Sequence, residues 1–178
     1  MDVHVDFGMK IVVVGLGYVG LSLSILLSQK YNVTSLDTDK KKIKAIKNKQ
    51  SPIYDKEIQK YLTEKKLNLT ATSDKNSAHE SAEYIIIATP TNFDPITGSF
   101  DTSTVEQVIS ESLAINKKCT IIIKSTIPMG FTDKMRNKFQ KRNIIFSPEF
   151  LRESKALYDN LFPSRIVLGD DTYEANEF

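Results

Sequence analysis

The sequence predicts an α/β fold: a doubly wound, mainly parallel sheet with helices on both faces. Three observations carry this prediction. Short apolar runs alternate with stretches of helical period from residue 10 to residue 146, the pattern of strand–helix–strand units that wind right-handedly. The runs at 82–88 and 119–123 are almost continuously apolar rather than alternating, as strands covered on both faces are. The first run, KIVVV, passes directly into GLGYVG and then into a helix.

That first strand–turn–helix organises the chain. Gly15 permits a tight turn, Gly17 has no Cβ and lets the backbone approach phosphate oxygens, and Gly20 lets the helix pack close. The free N–H groups and positive dipole end of the helix then suit a pyrophosphate, so the fold is of the Rossmann dinucleotide-binding kind. The helix continues through LSLSILL to about residue 30, and residues 32–36 form the second strand. This strand delivers Asp37 to its C-terminal end, close to the acidic position that holds an adenosine ribose. Asp37 also suits the N-cap of the next helix, residues 39–46, and both roles can hold together, the glycine motif before it favouring the ribose. The lysines of that helix form a solvated face; Lys42, one turn in, is the one placed to reach the ribose or a phosphate. A carboxylate at position 37 repels a 2′-phosphate and favours NAD over NADP, although the lysine run leaves NADP open.

Residues 51–53 are a loop and 55–65 a charged helix. The Tyr61…Lys65 spacing of that helix matches a short-chain dehydrogenase acid pair, but the glycine spacing does not, so a solvent-facing helix is expected. A third strand at 67–72, a short helix at 74–81 and a fourth strand at 82–88 follow, the last ending in TPTN. Ligands of open parallel sheets sit beyond such C-terminal strand ends. A polar loop to residue 100, a helix at 102–115 opened by Asp101, and a fifth strand at 119–123 come next. The fifth strand ends in KSTIPMG, where Ser125 and Thr126 present hydroxyls on the cofactor side. A helix to about 141, a sixth strand at 143–146 ending in SPEFLRE, one more strand at 165–169 and a polar tail complete the chain. Glu149 and Glu153 thus stand four residues apart at the catalytic edge, or simply favour a helix start.

With 178 residues the chain holds one well-cored α/β domain, placed at 9–178. Residues 1–8 read as a tag remnant or disordered leader before a natural start at Met9. The net charge of +2 gives no field that points to nucleic acid or an anionic membrane, and no apolar run reaches the roughly 20 residues of a membrane span. The single cysteine, Cys119, rules out an intrachain disulfide and fits a cytoplasmic location. It begins a strand at the end remote from the ligand, so a buried inert thiol is expected. His4 and His79 lie in polar surroundings, read as surface positions, and with Cys119 give no metal-ligand spacing.

GLGYVG, ATPTN, KSTIPMG and SPEFLRESKALYDNLFPSRIVLG together resemble the nucleotide-sugar dehydrogenases, the UDP-glucose/GDP-mannose dehydrogenase family, over nearly all of residues 9–170. The last stretch is most similar to members that act on UDP-glucose. The resemblance implies oxidation of the sugar 6-hydroxymethyl to a carboxylate, UDP-glucose to UDP-glucuronate, with two NAD⁺. It further implies a cysteine-bound thiohemiacetal and thioester. By motif, Gly15, Gly17, Tyr18, Val19 and Gly20 hold the pyrophosphate, and Asp37 and Lys42 the adenosine ribose. Thr91 and Thr126 line the cofactor, Thr126 also ordering a water. Glu149 supports that water network, Glu153 acts as general base beside the nicotinamide, and Phe150, Leu151 and Arg152 form the wall toward the UDP-sugar.

The family's nucleophilic cysteine, in a glycine-rich loop with a lysine and asparagine before it, has no counterpart here. The expectation is therefore a domain that binds NAD and part of the substrate without turnover, the dimerisation and UDP-binding domains of a homodimeric enzyme lying outside it. Two other readings stay open at this point: a 3-hydroxyacid or ketopantoate-type dehydrogenase, and a non-catalytic NAD-binding module.

Overall fold

A computed structural model describes residues 8–96 and 98–178. The reading of the leader and of His4 lies outside the described residues, Gly8 excepted.

Five βα steps build the sheet: β1 (Lys10–Val14), α1 (Tyr18–Leu27), β2 (Asn32–Leu36), α2 (Lys40–Lys47), α3 (Lys56–Glu64), β3 (Leu69–Thr72), α4 (Lys75–His79) and β4 (Tyr84–Ile87). A two-residue hairpin, β5 (Phe93–Asp94) and β6 (Ser99–Phe100), precedes α5 (Ser103–Ile115), β7 (Thr120–Ile123), α6 (Phe131–Phe139) and β8 (Ile144–Phe146). The chain then forms a 3₁₀ turn (Glu153–Lys155), α7 (Ala156–Leu161) and α8 (Tyr173–Glu177). The six-stranded sheet has the order β3-β2-β1-β4-β7-β8, and every pairing is parallel. The order reverses between β1 and β4, where Val14 pairs with Ile87. In open α/β sheets that switch point is where ligands bind.

The continuous apolar runs serve both faces. Val12, Val14, Ile85, Ile87, Ile121 and Ile123 point to a core closed by α5 and α6. Ile11, Val13, Ile86, Ile122 and Ile145 point to the other side, against Leu23 of α1 and Ala175 of α8. A third cluster joins Leu16, Leu21 and Ile25 to Ile58 and Leu62 of α3 and Leu157 of α7. Each fully buried isoleucine contributes roughly 1.5–3 kcal/mol, so the alternating faces of these strands lock their register.

Helix starts follow the aspartates. Asp39 accepts from Lys41 N–H, Asp55 from Glu57 and Ile58 N–H, and Asp74 from Asn76 and Ser77 N–H. The N-cap of α2 is therefore Asp39 and not Asp37. Asp101 accepts from Ser103 N–H at 2.9 Å, supporting the entry to α5.

Four sequence expectations are corrected. Residues 165–168 do not form a strand: among the described residues the segment's one backbone hydrogen bond to β8 is Gly169 N–H on Phe146 O, at 2.7 Å, and Arg165, Ile166 and Val167 stay exposed. The polar loop before α5 contains the β5–β6 hairpin, across which the rings of Phe93 and Phe100 meet edge to face. Tyr61 does not face solvent fully: it is half-buried against the third cluster, with the Lys65 ammonium 5.5 Å from its ring centre. His79 is buried, not on the surface, because α5 covers it; its Nδ1 lies 3.3 Å from Ser112 Oγ. Cys119 is buried as expected, and burial pushes its thiol up to about 11.

Candidate functional site

The glycine loop shows why each glycine stands where it does. Gly15 has a φ of +100°, and a Cβ there would sit 2.6 Å from Ala88 O, so only glycine fits the turn against the end of β4. A Cβ on Gly20 would lie 1.8 Å from Gly15 O, which is how closely α1 lands on the loop. Gly17 is different: nothing lies within 4 Å of a Cβ built on it. Its smallness therefore serves no contact within the protein. Gly17 caps α1 without a side-chain hydrogen bond, and the first turn carries no acid. The positive helix end is left free of a compensating carboxylate, as an anion site requires.

Asp37 closes the loop from β2. Its Oδ2 accepts from Leu16 N–H at 2.7 Å and its Oδ1 from Asp39 N–H at 2.8 Å. Lys42 of α2 reaches to 3.7 Å from Oδ2. The loop, Asp37 and Lys42 open onto a groove of about 640 Å³ that runs past Thr89 and Pro90 to α4 and α5. Its far wall holds His79, Lys75, Gln107 and Glu111, none of which the sequence singled out for this role. Lys75 pairs with Glu111 at 2.7 Å and Gln107 donates to the same oxygen. These hydrogen bonds hold the Glu111 carboxyl below its ordinary value. Burial holds the His79 imidazole below its own.

A second cavity, of about 370 Å³, lies beyond the end of β8. Glu149, Phe150, Leu151 and Arg152 line one side and Tyr158 and Arg165 the other. Arg152 is locked: its backbone N–H and Nε donate to Asp159 Oδ2 at 2.9 and 3.0 Å, and Nη2 donates to Oδ1 at 2.6 Å. These bonds pull the Asp159 carboxyl down to about 2. The Arg165 guanidinium stacks 4.1 Å from the Phe150 ring centre, a cation–π arrangement. The cavity wall is tied to the cofactor helix. Asn160 donates to Ser22 Oγ of α1 at 2.7 Å, and Leu157 N–H donates to Asp55 Oδ2 at 3.3 Å.

Between the two cavities stand the strand ends. The Ser125 hydroxyl donates to Thr89 O at 2.7 Å, so it braces the TPTN loop. Thr91 is half-buried and Thr126 exposed, and neither lines either cavity. Glu153 opens the 3₁₀ turn, exposed and outside the second cavity's lining. The structure thus gathers Gly15, Asp37 and Lys42 on one groove and Glu149–Arg152 on another, and leaves Thr91, Thr126 and Glu153 outside both linings.

Lys124 is the residue that sequence reasoning passed over. Its side chain is 6 % exposed and its Nζ lies 3.3 Å from Glu149 Oε2 and 3.0 Å from Ser147 Oγ. A lysine after an apolar run reads as a solvated strand end; only the serine and glutamate beyond the next strand keep it inside. No group of three or more His, Cys, Asp or Glu side chains fit to hold a metal occurs among the described residues. Among the described residues no helix is long and apolar enough to cross a membrane.

The donor set fits a dinucleotide: open space over Gly17, an uncompensated helix start and a carboxylate beside a long groove. Comparison with known proteins agrees. The model of the UDP-glucose/GDP-mannose dehydrogenase family, NAD binding domain, matches residues 9–178. UDP-glucose 6-dehydrogenase of Streptococcus pneumoniae is 56 % identical over 163 residues, covering 92 % of this chain and 41 % of that protein. The Campylobacter jejuni enzyme of the same name is 49 % identical over 91 % of this chain and 42 % of its own length. The crystal structure of a ternary complex of GDP-mannose dehydrogenase from Pseudomonas aeruginosa superposes with a TM-score of 0.83 at 27 % identity, over 95 % of this chain and 42 % of that one. The chain therefore spans about two fifths of the length of the relatives it matches. With its glycine loop, parallel sheet and strand-end motifs, the chain belongs to the UDP-glucose/GDP-mannose dehydrogenase family and carries that family's NAD-binding domain.

Proposed function

We propose that this chain is the cofactor-binding part of an enzyme that oxidises UDP-glucose to UDP-glucuronate. The observation that supports it most is that the chain carries both a dinucleotide groove after β1, β2 and β4 and a cavity after β8 at Glu149–Arg152, with α7 bonded to α1 through Asn160 and Ser22. The similarity to relatives named UDP-glucose 6-dehydrogenase supports the choice of sugar. NAD⁺, when bound, supplies the hydride acceptor.

The chain's own residues then divide the work. Backbone N–H groups of Gly17, Tyr18, Val19 and Gly20 meet the pyrophosphate, and the open space over Gly17 admits it. Asp37 and Lys42 hold the adenosine ribose, Asp37 exchanging its loop bonds for hydroxyls. Thr91 and Ser125 shape the strand-end passage, and Thr126 orders a water there. Phe150, Leu151 and Arg152 bound the sugar nucleotide. Glu149 holds the water network, and Glu153, exposed, acts as general base for the proton of the sugar 6-hydroxyl. Cys119 has no part in this. It precedes β7 at the far end of the sheet, buried, with its thiol near 11, so the 178-residue chain alone is expected to bind without turning over. A homodimeric assembly and a cytoplasmic setting belong to the same proposal.

Calorimetric titration tests it. The chain is expected to bind NAD⁺, and to bind UDP-glucose more tightly than GDP-mannose. Binding of NAD⁺ with no measurable affinity for any nucleotide sugar would leave an NAD module and remove the substrate.

A further inference from the structure

We propose that Lys124 is a positioning residue of the substrate side: its buried ammonium pins Glu149 and, through it, the loop 147–153. This rests on the proposal that the loop forms the sugar-nucleotide wall.

The observations come from two strand ends. Lys124 follows β7 directly, and Ser147 follows β8. The Lys124 Nζ donates to Ser147 Oγ at 3.0 Å, and Ser147 itself is fully buried. The ammonium lies 3.3 Å from Glu149 Oε2, and that carboxylate is its one ion-pair partner among the described residues. Glu149 Oε2 is buried and, among the described residues, accepts no hydrogen bond. The other oxygen, Oε1, has only its neighbour Phe150 N–H, at 3.3 Å. Lys124 is therefore the one side chain that reaches this carboxylate among the described residues, and Glu149 lines the second cavity.

Stability does not account for such a pair. Both charges lose water on burial, and well-packed apolar residues in their place are often neutral or better. An ion pair at the C-terminal strand ends, where ligands sit, earns its place by orienting a group. The lysine joins two otherwise separate loops, the KST loop and the SPEFLRE loop, through one nitrogen. The carboxylate is thereby held in place beside the cavity and keeps Phe150 and Leu151 in their wall positions.

Three variants of the 178-residue chain test this: Lys124→Met, Lys124→Arg and Glu149→Gln, with the Lys124→Met/Glu149→Gln double variant. In ¹H–¹⁵N spectra, Lys124→Met is expected to move the amides of Ser147 and of residues 149–153 and leave those of residues 15–20 in place. UDP-glucose affinity is expected to fall about tenfold or more, with NAD⁺ affinity within about twofold of the parent. The double variant should lose no more than the worse single one, since both act through one pair. Lys124→Arg keeps the charge and should recover most of the affinity. Unmoved loop amides in Lys124→Met, or losses that multiply in the double variant, would overturn the assignment. A parent chain that binds no UDP-glucose would overturn the substrate reading alone, and the loop amides would still decide the role of Lys124. If Lys124→Met does not fold, Lys124→Arg against Lys124→Gln gives the same comparison.

Discussion

Replacing Gly17 by alanine separates cofactor recognition from folding. The change adds one methyl where nothing of the protein lies within 4 Å. Gly17 has φ −87° and ψ −166°, extended backbone that alanine also adopts. Alanine at an N-cap costs roughly 0.5–1 kcal/mol against glycine, and the stiffer unfolded chain returns about 0.4–1 kcal/mol. The two offset, so the unfolding free energy read from urea should stay within about 0.5 kcal/mol of the parent. The methyl does, however, occupy space over the helix start. A charge-assisted hydrogen bond lost there is worth about 1.5–3 kcal/mol, which converts to roughly tenfold to hundredfold in NAD⁺ affinity. Calorimetry and urea unfolding on the same sample read both quantities. Gly20→Ala is the counterpart: its Cβ meets Gly15 O at 1.8 Å, so about 1–3 kcal/mol of stability should go along with binding. A stable Gly17→Ala chain that binds NAD⁺ like the parent would refute a pyrophosphate on this loop.

Asp37→Ala should weaken NAD⁺ binding about tenfold and also cost stability, because Leu16 and Asp39 N–H lose their acceptor; unchanged affinity would leave the carboxylate a loop brace only. Cys119, with its thiol near 11, should resist a disulfide reagent at about pH 8 until urea unfolds the chain; prompt reaction of the folded chain would contradict its burial. His79 titrates lower folded than its ordinary 6.5, so the unfolded chain binds the extra proton. The stability this contributes is complete above 6.5 and is lost as pH falls below it. The urea-midpoint advantage of the parent over His79→Gln should accordingly shrink between about pH 7.5 and 5.5; a constant gap would refute this.

The legible parts of the chain were those with local signals. Strands β1, β4 and β7 announce themselves because both faces are covered and, after the first residue of each, the run is wholly aliphatic. Asp39, Asp55 and Asp74 mark helix starts through bonds to N–H groups two or three residues on. The glycine loop is equally local. What escaped depends on partners far along the chain. His79 is buried by Ser112 of α5, thirty-three residues later. Lys124 is held by Ser147, twenty-three residues later. Residues 165–168 have the apolar content of a strand, but strand formation needs a neighbour, and beyond β8 only Gly169 finds one. The Phe93–Phe100 hairpin hides in a stretch whose turn residues read as plain loop.

The most direct measurement is a ¹H–¹⁵N titration of the 178-residue chain, first with NAD⁺ and then with UDP-glucose. NAD⁺ should move the amides of Gly15, Gly17, Gly20 and Asp37 together with those of α4 and α5 along the groove. UDP-glucose should then move Glu149, Phe150, Leu151 and Arg152 at the second cavity. Shifts from NAD⁺ that spare the glycine loop, or shifts from UDP-glucose that spare residues 149–152, would contradict a shared cofactor and substrate edge.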